Sequence, residues 1–141
     1  MNKWWILCLV AISLVACGSK KEEPIKEYDY EDVGDQMICW NEILSIDSES
    51  YYAYIFSRTC GHCNEIKQQV ISYALNNKGT FYFVEYSKDI PIITNASSVI
   101  GKDNVCNLGI VGTPSMFLVA NHVVMENIVG SKNIVKTLTN E

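Results

Sequence analysis

An uncharged, apolar run broken only by Ser13 fills positions 4 to 16; apolar residues thin out between 17 and 32 and then return in short periodic groups to the end of the chain. The first of those groups, DVGDQMICWNEILSI, places Val33, Met37, Trp40 and Leu44 on one helical stripe, which predicts a first helix. YYAYIFS at 51–57 is aromatic and β-prone and predicts a strand. HCNEIKQQVISYAL carries Ile66, Val70 and Leu75 near helical spacing and stops at NNKG, a good C-cap signal. TFYFVEY at 80–86 predicts a second strand, and two strands joined by a helix imply a right-handed parallel crossover. A looser segment follows, with Asn95 or Ser97 as N-cap candidates before SVIGKDNVCNLGI. SMFLVANHVVMENIVG then reads as strand, tight turn at Asn121-His122, strand, although Asn-His is a poorer turn pair than Asn-Gly. SKNIVKTLTNE closes the chain as a short helix capped by Ser131. The class expected from this order is α/β, a central mixed sheet of about four strands flanked by helices.

The N-terminal apolar run, WWILCLVAISLVA after Lys3, is too short to span a bilayer as a helix but has the length of a secretory h-region. It ends in LVAC followed by GSKKEEP, which resembles the lipobox of bacterial lipoproteins. That resemblance implies that residues 1–16 are a signal peptide and that Cys17 is lipidated and becomes the new N-terminus. An ordinary signal anchor with an incidental cysteine is the alternative. Acyl chains on Cys17 would hold the protein firmly on a lipid bilayer, on the extracytoplasmic face of the bacterial cell membrane. Residues 17–32 are charged, mostly acidic and poor in branched aliphatics, so they read as a flexible tether that reaches at most roughly 50 Å when extended. Residues 33–141 have the size of one compact domain. The formal net charge of -5 offers nothing to attract nucleic acid.

Six cysteines are present, and the leader would carry away Cys8. Of the rest, Cys60-Gly-His-Cys63 falls where the first strand gives way to a helix. Such a pair can be redox-active, a structural disulfide or half of a zinc site, and zinc would need two more ligands. Neither His122 nor Cys39 and Cys106 make a second close pair in sequence. A cysteine at the first turn of a helix would face unpaired backbone N–H groups and the positive end of the helix dipole, which favour a thiolate. Cys63, one turn on, would share its face.

From about Tyr51 to Leu138 the chain resembles thioredoxin-like thiol-disulfide oxidoreductases, on FSRTCGHC at the strand-to-helix junction, GIVGTPSMFLV before the hairpin and Gly130 after the last strand. Cys-Gly-His-Cys is the setting seen in protein disulfide isomerases. The resemblance implies a thioredoxin-like fold, with Cys60 as attacking and Cys63 as resolving thiol; His62, placed between them, can donate a hydrogen bond or carry charge that stabilises the Cys60 thiolate. Thr113 and a cis Pro114 would face an extended substrate strand. No cofactor beyond the cysteines and no metal are implied. Two departures stand out: Thr59 lies where an aromatic usually precedes the first cysteine, and Tyr54 where a buried acid usually sits six residues before it. Glu85 in the neighbouring strand is the substitute candidate for a proton relay if it points inward; a solvated strand end is the other reading. Cys39 and Cys106 are either a second, structural bridge or two separate thiols.

The expected function is an envelope-anchored thiol-disulfide oxidoreductase acting on cysteine-containing exported proteins, oxidase or isomerase in direction. The alternatives are a reductase fed by a membrane redox partner, and a surface binding module that keeps the cysteine pair only as a staple.

Overall fold

The computed structural model describes residues 25–139, so the expected signal peptide, Cys17 and the first part of the tether lie outside the described residues. Four strands and two α-helices follow in the order β1 (Ser50–Phe56), α1 (Gly61–Asn76), β2 (Phe81–Glu85), β3 (Ser115–Ala120), β4 (Val123–Val129) and α2 (Ser131–Thr139), with 3-10 turns between them. The sheet order is β2-β1-β3-β4; β1 and β2 are parallel, as the crossover through α1 requires, and the other two pairings are antiparallel. This is the α/β mixed sheet expected from the sequence.

Strand β1 is central and buried on both faces, which explains why its sequence is nearly all apolar or aromatic. Side chains alternate along it. Tyr54 and Phe56 join Val70, Ile71, Phe81, Phe83 and Ile134 under the helices. Tyr51, Ala53 and Ile55 join Ile43, Ile110, Phe117 and Val119 on the opposite face, which 3-10 turns cover instead of long helices.

The expected first helix does not form as one rod. A 3-10 helix spans Tyr30–Gln36, opened by a reciprocal Asp29 and Asp32 cap, and a second spans Trp40–Glu42. Between them Met37 is extended and bridges Phe83, with the Ile38 N–H donating to the Phe83 carbonyl at 2.9 Å. The reason is visible in the stripe itself. Val33 belongs to the core under the helices and Leu44 to the core on the opposite face. A straight helix cannot reach both, so the chain wraps the open edge of β2 and satisfies its backbone groups on the way. The packed chain also starts earlier than residue 33: Tyr30, inside the stretch read as tether, is 2% exposed.

The looser segment supplies 3-10 turns at Ala96–Val99, capped by Asn95, and Val105–Asn107, capped by Asn104. It lies along β4, with Gly101 N–H donating to the Val124 carbonyl at 2.8 Å and Val124 N–H to the Lys102 carbonyl at 3.0 Å. The hairpin turn is at Asn121-His122, both with positive φ (50° and 64°), as a two-residue turn of this hand demands. His122 Nδ1 lies 2.8 Å from the Leu44 carbonyl, which anchors the less favourable turn residue to the rest of the fold. Helix α2 begins with Ser131 as its first residue, not with Ser131 as its cap.

Candidate active site

Strand β1 ends at Phe56, a short turn with Cys60 N–H on the Ser57 carbonyl (3.1 Å) follows, and Cys60 becomes the N-cap of α1. Its extended backbone (φ -83°, ψ 119°) turns the sulfur back over the helix start, where Sγ accepts the Cys63 N–H at 3.3 Å. The Cys60 thiol in turn donates to the Thr113 carbonyl at 3.3 Å. Burial works against ionisation of Cys60. Hydrogen bonds from the Cys63 thiol, the Thr113 side chain and the backbone N–H groups of Cys63 and His62 outweigh it and hold Cys60 below an ordinary thiol. Cys63, fully buried, is the opposite case: burial first, and the neighbouring Cys60 second, push its thiol up to about 11. Both are free thiols, one half-buried and one enclosed.

The loop before β3 brings Thr113 and Pro114 to the same spot, and the Thr113–Pro114 peptide bond is cis. Its approach is fixed by Gly109: a side chain there would meet the Pro91 carbonyl oxygen at 2.8 Å and Ile93 Cγ2 at 2.7 Å. Next to Gly109, Ile110 exchanges hydrogen bonds with Pro91 and Ile93, both at 2.9 Å. A shallow groove of about 320 Å³ runs beside the cysteine turn, lined among others by His62, Thr113, Pro114, Val129 and Lys132. A larger hollow, between residues 25–28 and the two helices, shares no lining residue with the cysteines.

The other expected site residues are placed less simply. The His62 ring is exposed and its Nδ1 lies 3.2 Å from Glu65 Oε2, so only the backbone of His62 is engaged with Cys60. Glu85 does not point inward. It is exposed at the end of β2, 3.2 Å from Arg58 Nε, and Arg58 also holds Glu31 at 3.0 Å. The reading of Glu85 as an internal proton relay is therefore corrected: Phe83 and Val84 are buried on opposite faces of β2, whereas Glu85 is the strand's last residue and lies exposed at its end. Cys39 and Cys106 are exposed free thiols on separate 3-10 turns. Among the described residues no three His, Cys, Asp or Glu side chains converge as a metal site would require.

One part of the site escaped the sequence. Beneath the cysteines lie two buried phenols, Tyr54 and Tyr30, in the same core cluster as Cys63. Tyr30 stacks on Phe56 with ring centroids 3.8 Å apart, under the Arg58 guanidinium at 5.4 Å. The Asp29-to-Asp32 capping pattern was the available signal that Tyr30 begins a structured element.

No protein-family model matches the chain, and no curated protein matches it. Solved structures do resemble it. Thioredoxin f from spinach chloroplast (short form) aligns with a TM-score of 0.50 at 12% identity, over 74% of this chain and 92% of that one. Chlamydomonas reinhardtii thioredoxin f2 aligns at 0.48 and 12% identity over the same shares, and poplar thioredoxin h at 0.46 and 19%, over 74% and 95%. Together with the strand order, the alignment to the spinach protein shows the architecture: this chain has a thioredoxin-like fold that carries a Cys60–Cys63 pair at the start of its first α-helix.

Proposed function

We propose that the protein is a thiol-disulfide oxidoreductase that exchanges disulfides with exported proteins through Cys60 and Cys63. The observation that carries this reading is the contrast within the pair: a half-exposed Cys60 held below an ordinary thiol beside a fully buried Cys63 held above it. That asymmetry suits an exposed nucleophile and a protected resolving thiol. The Cys60 thiolate attacks one sulfur of a substrate disulfide, whose other sulfur departs with the bonding electrons. Cys63 then forms a bond to Cys60 Sγ, the Cys60–substrate bond breaks, and the second substrate sulfur leaves as a thiol. Two electrons pass from the pair to the substrate, and the reverse sequence oxidises a substrate dithiol.

The oxidising or isomerising direction is the one we favour. Hydrogen bonds that stabilise the Cys60 thiolate stabilise the reduced pair, and a stabilised reduced form is a stronger oxidant. The groove beside Thr113 and Pro114 offers backbone and apolar surface to an extended substrate segment. The extracytoplasmic location and the lipid anchor rest on the Leu14-Val15-Ala16-Cys17 pattern. Cells labelled with a fatty-acid analogue should show label on the wild type and none on Cys17→Ser; equal label on both would remove the anchor.

Turnover decides the function. The full-length protein should reactivate scrambled ribonuclease in a glutathione buffer and Cys60→Ser should not. Strong insulin reduction without ribonuclease reactivation would instead point to a reductase supplied by a membrane partner. Absence of both activities would leave a binding module stapled by its cysteines.

A further inference from the structure

Cys63 is fully buried, so whatever stabilises its thiolate must lie within the protein. No acid does: no Asp or Glu among the described residues is buried, and Glu31 and Glu85 sit outside on Arg58. Two of the buried side chains that share its core cluster carry hydroxyls. Tyr54 on β1 and Tyr30 on the first 3-10 helix are 0% and 2% exposed, and neither hydroxyl has a well-aligned hydrogen-bond partner while both cysteines are thiols. Each nevertheless lies within interaction range of the other and of Cys63, and the Tyr54 hydroxyl is within reach of the Cys63 sulfur. Cys60, the Ser57 backbone and Thr113 also interact with Cys63.

An orphaned buried hydroxyl destabilises the fold. Phenylalanine would avoid that, as it does at the neighbouring Phe56, Phe81 and Phe83. Two such hydroxyls beside one buried thiol therefore ask for a state in which they are satisfied.

Building on the oxidoreductase reading, we propose that Tyr54, backed by Tyr30, is the hydrogen-bond donor that stabilises the Cys63 thiolate during resolution of the mixed disulfide, in place of an internal carboxylate. As Cys63 Sγ attacks Cys60 Sγ, the Tyr54 O–H donates to the ionising sulfur and the Tyr30 O–H donates to Tyr54. The phenols stay neutral throughout. The Cys60–substrate bond breaks, its electron pair leaves with the substrate sulfur, and the proton lost by Cys63 ends on that sulfur. Burial raises the ionisation of both phenols well above that of free tyrosine, which suits donors and is unsuited to a base.

The test needs two readouts on the full-length protein. In the first, the protein is mixed with glutathione disulfide, quenched with acid at intervals and mapped by peptide mass, so that formation and decay of the Cys60–glutathione bond are followed separately. Tyr54→Phe should slow decay about tenfold more than it slows formation, the effect of one lost hydrogen bond to a charged group. Thermal stability should hold or rise, because an orphan hydroxyl has been removed. Unchanged decay, or equal slowing of both steps with a loss of stability, would overturn the proposal by making Tyr54 ordinary core. In the second, Cys63 alkylation is followed against pH in Cys60→Ser, with and without Tyr54→Phe or Tyr30→Phe. Tyr54→Phe should raise the pH at which Cys63 ionises by about one unit, and Tyr30→Phe by less. No shift in either would also overturn the proposal. This titration requires no turnover, so it stands even if the wild type forms no mixed disulfide, a result that would sink the oxidoreductase reading alone.

Discussion

At His62 the ring and the backbone face different ways: the imidazole reaches Glu65, and the N–H faces Cys60 Sγ. Sequence spacing suggested the ring as the thiolate's stabiliser, because a histidine between two cysteines invites that reading. Spacing could not say that Glu65, one turn along the exposed face of α1, would compete for it. The two roles separate on substitution. His62→Ala removes the ring and keeps the donor, whereas His62→Pro, tolerated in a first helical turn, removes the donor as well. The pH at which Cys60 alkylates fastest by half should rise further in His62→Pro than in His62→Ala, by several tenths of a unit to about one. The reverse order would restore the imidazole charge as the main influence.

The hairpin, both crossover strands and α1 were legible because each is bounded by residues whose chemistry fixes an end, and each has one period over its whole length. The segment at 33–47 was not. Its stripe is real as a list of buried residues, but those residues serve two cores on opposite sides of the sheet, and only the open edge of β2 reveals why the chain must bend at Met37. Gly109 is a second such case, since nothing in GIVGTP announces that the Pro91 backbone passes within van der Waals distance. Gly109→Ala should therefore cost about 1–3 kcal/mol in chemical unfolding, through forced separation of backbone from backbone. An unaffected unfolding midpoint would show that this loop, and with it the approach of Thr113 to Cys60, is looser than its contacts imply.

Among the described residues the buried titratable groups whose ionisation the fold shifts share one sign. Cys63, Tyr30, Tyr54 and Tyr51 all hold their protons more tightly in the fold than in the unfolded chain, chiefly through burial. From about pH 9, the ordinary thiol value, to about 11 the unfolded state has released protons that the native state keeps, so stability falls as pH rises. Cys60 acts oppositely, adding stability above its unfolded value that is lost as pH falls through its lowered native one. Urea unfolding of the reduced protein should accordingly show a lower stability near pH 10 than near neutrality, and Cys63→Ala should lessen the difference. An equal slope in Cys63→Ala would mean that the phenols alone carry it. The fold places that buried thiol beside a half-buried one held below an ordinary thiol, and whether the two form a working redox couple is measurable in a single experiment. Full-length protein is equilibrated in glutathione buffers of graded ratio, quenched with acid and mapped by peptide mass. The account predicts one reversible two-electron transition confined to Cys60 and Cys63, with a midpoint above about -270 mV. A pair that remains oxidised below about -300 mV, in the range of structural disulfides, or a bridge that forms through Cys39 or Cys106 instead, would contradict it.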